Sequence, residues 1–232
     1  MTARTVLKWP NPLLKNITEP VEVIDDSIVK LVQDMSDTMR VEFGLGLAAT
    51  QVGFDHSIAV LKSSFHTVSP LKVDPVVKDC IVLVNPKIEV LGEATFRWAE
   101  ACLSVPGIEE VVERHRDIRL TYTDLSNTTH TVELNNENSG LVQHEVDHLF
   151  GKLFIDRLKK GKQRQVLSLL RRSIRSAALS RVKEAKKAKR EKQAERDAEE
   201  TRPGFRKNPV SHLKKTKRPA KKFGKTKRRR KK

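Results

Sequence analysis

The first regular pattern along the chain is helical. Asp25, Asp26 and Ser27 offer capping side chains, and Ile28, Leu31, Val32, Met35 and Met39 follow at three- and four-residue steps. That spacing predicts an amphipathic helix over about 27–42 with one buried stripe. Ahead of it, residues 4–24 are punctuated by Pro10, Pro12 and Pro20 and predict an extended segment. Short β-type runs follow at 57–62 and 81–84, with 63–80 between them as a loop and 87–91 continuing as a strand after an Asn85-Pro86 turn. Residues 118–124 alternate strictly, and with 129–134 they predict a hairpin. Asn135–Ser139 is polar, and Ser139 is placed to cap the helix that follows. A long helix is predicted from Lys159 to about Glu200. Val166, Leu167, Leu169, Leu170, Ile174, Ala178 and Val182 give its first half an apolar face, and beyond about 183 there is little to bury.

Charge divides this pattern into parts. The formal net charge is +17, yet residues 1–160 carry −6 and residues 161–201 carry +7. Residues 202–232 hold 16 Lys and Arg and no acid. The chain therefore reads as a mildly acidic globular body over 1–160, a basic helix over 161–200 and a disordered Lys/Arg-rich tail over 201–232. Such a run without acids is suited to phosphate backbones, through contacts that do not read sequence. Two cysteines, Cys80 and Cys102, make no disulfide framework and fit a reducing compartment. No apolar run approaches the ~18 residues of a membrane span, and the N-terminus lacks a secretory apolar region. A cytoplasmic location without membrane attachment is the expectation.

Chemistry concentrates in three stretches. In His144-Glu145-Val146-Asp147-His148 the two histidines are four residues apart. On a helix they project from one face about one turn apart, where they can share one metal ion. Glu145 lies beside that face, where a carboxylate can take a proton from water. The same spacing also suits two hydrogen-bonded core histidines. A second stretch, Gly44-Leu45-Gly46-Leu47-Ala48-Ala49-Thr50-Gln51, has little side-chain bulk and suits either close approach of a peptide backbone or a tight connection. The third, Glu100-Ala101-Cys102-Leu103-Ser104, ends a β-type segment on a cysteine ahead of Pro106-Gly107. This Cys is either a thiolate ligand or a small buried hydrophobe. One class of metallopeptidase continues with a further Gly and His. Here Gly151 is in register but Phe154 occupies the final histidine position. A third ligand is therefore sought upstream, where Cys102 is the best offer.

Together the three stretches resemble the peptide deformylase family, whose ordered motifs match Gly44–Gln51, Glu100–Ser104 and His144–His148. The similarity extends over about residues 4–175 and stops short of the basic tail. It implies an α+β fold: small antiparallel sheets packed around a central helix bearing the histidines, with a long C-terminal helix. It implies that Cys102, His144 and His148 ligate one divalent metal, typically Fe2+, with Zn2+, Ni2+ or Co2+ as substitutes. Glu145 becomes the base, and the Gln51 amide and Leu103 N–H stabilise the oxyanion. Gly44, Leu45, Gly46, Glu100 and Leu141 fall to substrate binding, and Asp147 to orienting a ligand. The implied reaction releases formate from formyl-methionine at the start of nascent polypeptides. The implied setting is the ribosome, with the basic C-terminal region as a tether to ribosomal RNA. The rival readings are a metallopeptidase using the same helix and an inactive RNA- or ribosome-binding relative. Three departures from the family pattern stand out. Ala101 replaces a glycine, and its methyl is expected to narrow the cleft or shift the Cys102 backbone. Asn136–Gly140 is polar where the family is apolar, which is expected to alter the methionine pocket. Glu109 and Glu110 follow Pro106-Gly107 where many members carry a basic residue.

Overall fold

A computed structural model describes residues 3–65, 70–77 and 80–200. The expectation for the tail, 201–232, lies outside the described residues. Two compact units are resolved, Met1–Ser173 and Ile174–Lys232.

Within the first unit, helix α1 (Asp26–Val41) begins where the capping residues predict. Asp25 accepts hydrogen bonds from the Ser27 and Ile28 amides, satisfying donors that the first turn leaves unpaired. Five antiparallel strands form one sheet in the order β1-β2-β3-β6-β7: β1 (Gly46–Ala48), β2 (Ile58–Lys62), β3 (Cys80–Val90), β6 (Asp117–Thr123) and β7 (Thr129–Asn135). A separate hairpin pairs β4 (Thr95–Cys102) with β5 (Val105–His115).

Residues 58–61 of β2 and 80–84 of β3 are apolar without interruption because both faces are covered there. Ile58, Val60, Val82 and Val84 pack with the Ile28, Leu31, Val32 and Met35 stripe of α1. Their neighbours Ala59, Leu61, Ile81 and Leu83 point the other way, onto Leu141, Val142 and Val146 of α2 (Asn136–Leu149). A third cluster joins Cys102, Val105 and Val112 of the hairpin to Leu153, Phe154 and Ile155 after α2, and to Val166 and Leu170 of α3 (Lys160–Glu200).

Three sequence expectations change. No turn forms at Asn85-Pro86. Strand β3 runs through it with a register shift between Val84 and Lys87, Asn85 taking a φ of +49°. A bulge is where a strand tolerates proline, and here the Asn85 side chain exchanges two hydrogen bonds with the Val21 backbone. Ser139 is not a cap. Helix α2 begins three residues earlier, directly after β7, and the buried Ser139 hydroxyl donates to the His115 carbonyl. The apolar face of α3 is also shorter than its sequence suggests. Val166 and Leu170 are buried, whereas Leu169, Ile174 and Val182 are about half exposed. The first turns of α3 fall within the first compact unit, which ends at Ser173.

One loop carries a pH-dependent prediction. Asp124, between β6 and β7, accepts hydrogen bonds from the Ser126 and Thr128 amides, the Ser126 hydroxyl and the His130 ring. Burial pushes its carboxyl up, but His130, Ser126 and the amides outweigh it and hold the group at about 2. A carboxyl held below its unfolded value adds stability above that value and loses it as pH falls through the folded one. Asp124→Asn is therefore expected to lower stability by about 2 kcal/mol near neutrality. In thermal melts, its difference from wild type should shrink between about pH 4 and pH 2.

Candidate active site

Helix α2 is buried from Ser139 to Leu149. It is held at its start by Gln143, whose amide donates to the His115 carbonyl and the Ser139 hydroxyl and whose oxygen accepts the His115 N–H. Its inward face carries His144 and His148, with ring centroids 5.1 Å apart in an edge-to-face pair. Cys102, where β4 ends, brings its Sγ to 3.4 Å from His148 Nε2. The donor atoms of Cys102, His144 and His148 all lie within 4.8 Å of one another. Among the described residues this is the one His/Cys/Asp/Glu cluster close enough to share an ion. Two imidazoles and one sulfur, with no fourth protein donor in the group, suit an open catalytic metal site.

The ligand geometry is imposed by a buried chain of charges. His144 Nδ1 sits 2.7 Å from Glu100 Oε2, which leaves Nε2 for the cluster. Arg114 grips both Glu100 oxygens at 2.7 and 2.9 Å and reaches on to Asp147, which Arg157 holds from its other side. Burial raises the Glu100 carboxyl, but the Arg114 and His144 hydrogen bonds prevail and hold it at about 2. Burial also lowers the His148 imidazole, and the charges of His144 and Arg114 add to that effect. His148 is thus kept neutral, the form in which imidazole binds a cation. The Cys102 sulfur in turn receives the Ser104 N–H and the Gln51 amide, at 3.4 and 3.5 Å.

Two of the expected site residues, Glu100 and Asp147, stand in this chain of contacts. Glu100, expected among the substrate contacts, lines the cleft described below, and its oxygens bond to Arg114, His144 and the Trp98 indole. The Asp147 carboxylate bonds to Arg114 and Arg157 and not to the Cys102, His144 or His148 side chains. It braces Arg114, which in turn braces Glu100. Arg114 itself is the residue that sequence reading missed. Its signal is a lone Arg between Glu113 and His115 in a strand, indistinguishable from a solvated charge. Phe154, at the third-histidine position of the peptidase pattern, instead stacks on His144 with centroids 6.1 Å apart. Gly151, in register with the same pattern, has a φ of +65°, and a Cβ there would lie 2.7 Å from the Lys15 carbonyl carbon.

A cleft of about 440 Å³ opens onto the cluster. Gly44, Leu45, Gly46, Gln51, Leu103 and Leu141 all line it, as does Glu145. Glu145 is 3% exposed, and its Oε2 has no hydrogen-bond partner among the described residues. Burial, offset in part by His144, pushes it up to about 7. The polar residues 136–140 are absent from the cleft lining. Gly140 lies under Trp98 and Phe96, with room for no Cβ: one built there would meet Trp98 at 2.8 Å. Trp98 itself lines the cleft, so the turn reaches it through this packing contact. Ala101 is exposed at the cleft.

Comparison with known proteins decides the family. A family model described as polypeptide deformylase matches residues 3–164. The chain belongs to the peptide deformylase family. It is 36% identical over 180 residues to the peptide deformylase of Saccharophagus degradans, covering 78% of this chain and 99% of the relative. It is 38% identical over 175 residues to that of Aquifex aeolicus, covering 75% and 98%. Among solved structures, the peptide deformylase of Ehrlichia chaffeensis superposes with a TM-score of 0.67 at 30% identity, covering 76% of this chain and 99% of that one. That of Legionella pneumophila gives 0.65 at 32% identity, covering 76% and 98%. The fold is that of the peptide deformylases, the chain is an enzyme of that class, and the family uses a catalytic metal.

Proposed function

We propose that the enzyme removes the formyl group from formyl-methionine at the start of nascent polypeptides, using one divalent metal held by Cys102, His144 and His148. Fe2+ is the proposed ion, with Zn2+, Ni2+ and Co2+ as substitutes, since a thiolate and two imidazoles suit all four. The observation that carries the reading is the three donors clustered within 4.8 Å at the end of a cleft that also holds a buried carboxyl with a free oxygen. When bound, the ion supplies Lewis acidity that activates water and polarises the formyl oxygen.

The chain's own groups do the rest. Strands β1 and β4 each pair on one side only, with β2 and β5 respectively, and residues of both line the cleft. An extended peptide is proposed to lie along Gly44-Leu45-Gly46, where small residues admit its backbone. Leu141 contributes apolar surface for the methionine side chain. The attacking water gives a proton to Glu145, whose carboxyl at about 7 is matched to work near neutrality. The Gln51 amide and the Leu103 N–H stabilise the oxyanion on the former formyl carbon. Gln51 is preset for this, because its oxygen accepts the Ala48 N–H at 2.8 Å and so points the NH2 group at Cys102 and Ser104. Glu145 then passes its proton to the departing amine, leaving formate and a free methionine N-terminus. Formate release from formyl-Met peptides, measured on anaerobically purified protein, tests the reading. Cleavage of internal peptide bonds without formate release would contradict it.

Glycine at position 46 has a second role in this reading. A Cβ on Gly46 would come within 2.6 Å of Glu145 Cδ and 2.8 Å of its Cγ. Relief of that clash requires the Glu145 carboxyl to move from its place in the cleft. Gly46→Ala is expected to lower formate release by about 100-fold through misplacement of the base. The melting temperature and metal content should stay near wild type, as checked by calorimetry and metal analysis.

The C-terminal region is proposed as the ribosome tether, with residues 161–200 as a basic helix and 201–232 as a basic tail, in the cytoplasm. Every side chain from Arg171 to Glu199 is exposed, and 161–232 carries 29 Lys and Arg against 6 acids. No helix among the described residues is long and apolar enough to cross a membrane. A chain ending at Arg175 is expected to lose most ribosome binding in co-sedimentation at matched salt, and the intact protein should weaken steeply as salt rises. Undiminished binding by the shortened chain would refute the tether.

A further inference from the structure

The charged side chains lining the cleft are unequally occupied. Glu100 is neutralised by Arg114, and Glu145 belongs to the proton transfer. Glu109 belongs to neither. It lies on β5, is exposed, and makes no ion pair among the described residues. Its strand partner is Ala101, a side chain too small to cover it.

Two cations in this neighbourhood are engaged elsewhere. Lys162 pairs with Glu110 at 2.9 Å, and Lys8 donates to the Leu103 carbonyl with Glu42 at 4.0 Å. Among the described residues, no Lys or Arg lines the cleft. Phe43, 92% exposed, and the half-buried Ile108 line the same cleft and offer apolar surface. An uncommitted carboxylate beside exposed apolar surface suits a side chain with a methylene stem and a cationic head.

We propose that Glu109 makes this enzyme prefer formylated peptides with a lysine or arginine shortly after the methionine. The inference rests on the peptide reading above, in which the chain beyond methionine runs along the cleft. Glu109 is a specificity residue here, remote from the reacting atoms, and its effect belongs in KM more than in kcat. An exposed pair of this kind supports only a modest preference, about 2- to 5-fold.

The test uses the full-length, metal-loaded enzyme and C-terminally amidated formyl-Met peptides. Lys, Ala or Glu is placed in turn at the second, third and fourth residues, and formate release is measured for each. At one of these positions at least, kcat/KM for Lys should exceed that for Glu by about 2- to 5-fold, and the ratio should shrink with added salt. Glu109→Gln should bring the ratio to about one, and Glu109→Lys should invert it. Glu110→Gln, which alters a neighbouring charge outside the cleft lining, should leave the ratio as in wild type. Equal rates for Lys and Glu at all three positions would overturn the proposal. So would a ratio insensitive to Glu109→Gln, or one that moves as much in Glu110→Gln. In each of those cases formate release itself persists, so the deformylase reading stands. Absence of formate from every peptide, alanine included, would remove both.

Discussion

Glu145→Gln is expected to cut formate release by about 10²- to 10⁴-fold while the protein stays folded and metal-loaded. The amide has the size and shape of the carboxyl, so it fits against Gly46 and leaves the packing of α2 unchanged. It cannot take up a proton from water, and that is the step assigned to this residue. The buried setting makes the loss large. Glu145 is 3% exposed with one oxygen unpartnered, and burial lifts its carboxyl to about 7, where it can both accept and return a proton near neutral pH. Steady-state formate assays paired with metal analysis separate the outcomes. A variant that loses its metal along with its activity would assign Glu145 to the integrity of the site instead.

The largest effect on stability is expected from Arg114→Met. Arg114 is buried between Glu100 and Asp147, and both carboxylates depend on it. Removing the guanidinium leaves two buried carboxylates facing a neutral side chain, although Arg157 still reaches Asp147. Breaking a buried pair in this way costs about 3–5 kcal/mol, which corresponds to a fall in melting temperature of roughly 6–20 °C. The consequence for function follows through Glu100, which holds His144 Nδ1 at 2.7 Å. With that support loosened, metal affinity should drop about 10- to 100-fold. Arg119→Met is the control. Arg119 bridges Glu89 and Glu133 on the exposed surface of the sheet, and its loss should cost about 1 kcal/mol or less. Similar melting temperatures for the two variants would contradict the buried network.

The contrast between these two arginines shows what the sequence could reveal. Both stand in strands beside residues of mixed polarity, and nothing local tells Arg114 from Arg119. Burial of Arg114 arises because the β4-β5 hairpin closes over α2, a contact between segments far apart in the chain. Helix α1 and the β6-β7 hairpin were legible because their periodicity and caps are local. The grouping of Cys102, His144 and His148 was legible because a shared metal site constrains residue type and spacing. The positioning of His144 was not, since it passes through Glu100, Arg114 and Asp147 on three different elements. Asn85-Pro86 misled for a related reason. The dipeptide favours a turn locally, but pairing of β3 with both β2 and β6 keeps the strand going through a bulge.

The central claim is that Cys102, His144 and His148 together hold the ion on which deformylation depends. It is tested most directly by measuring metal content and formate release on the same anaerobically purified samples of wild type and Cys102→Ala. Wild type should carry about one divalent ion per chain and release formate from formyl-Met peptides. Cys102→Ala should be folded, nearly metal-free and inactive. Formate release by Cys102→Ala at the wild-type rate, or a wild-type protein that turns over with no metal bound, would contradict the account.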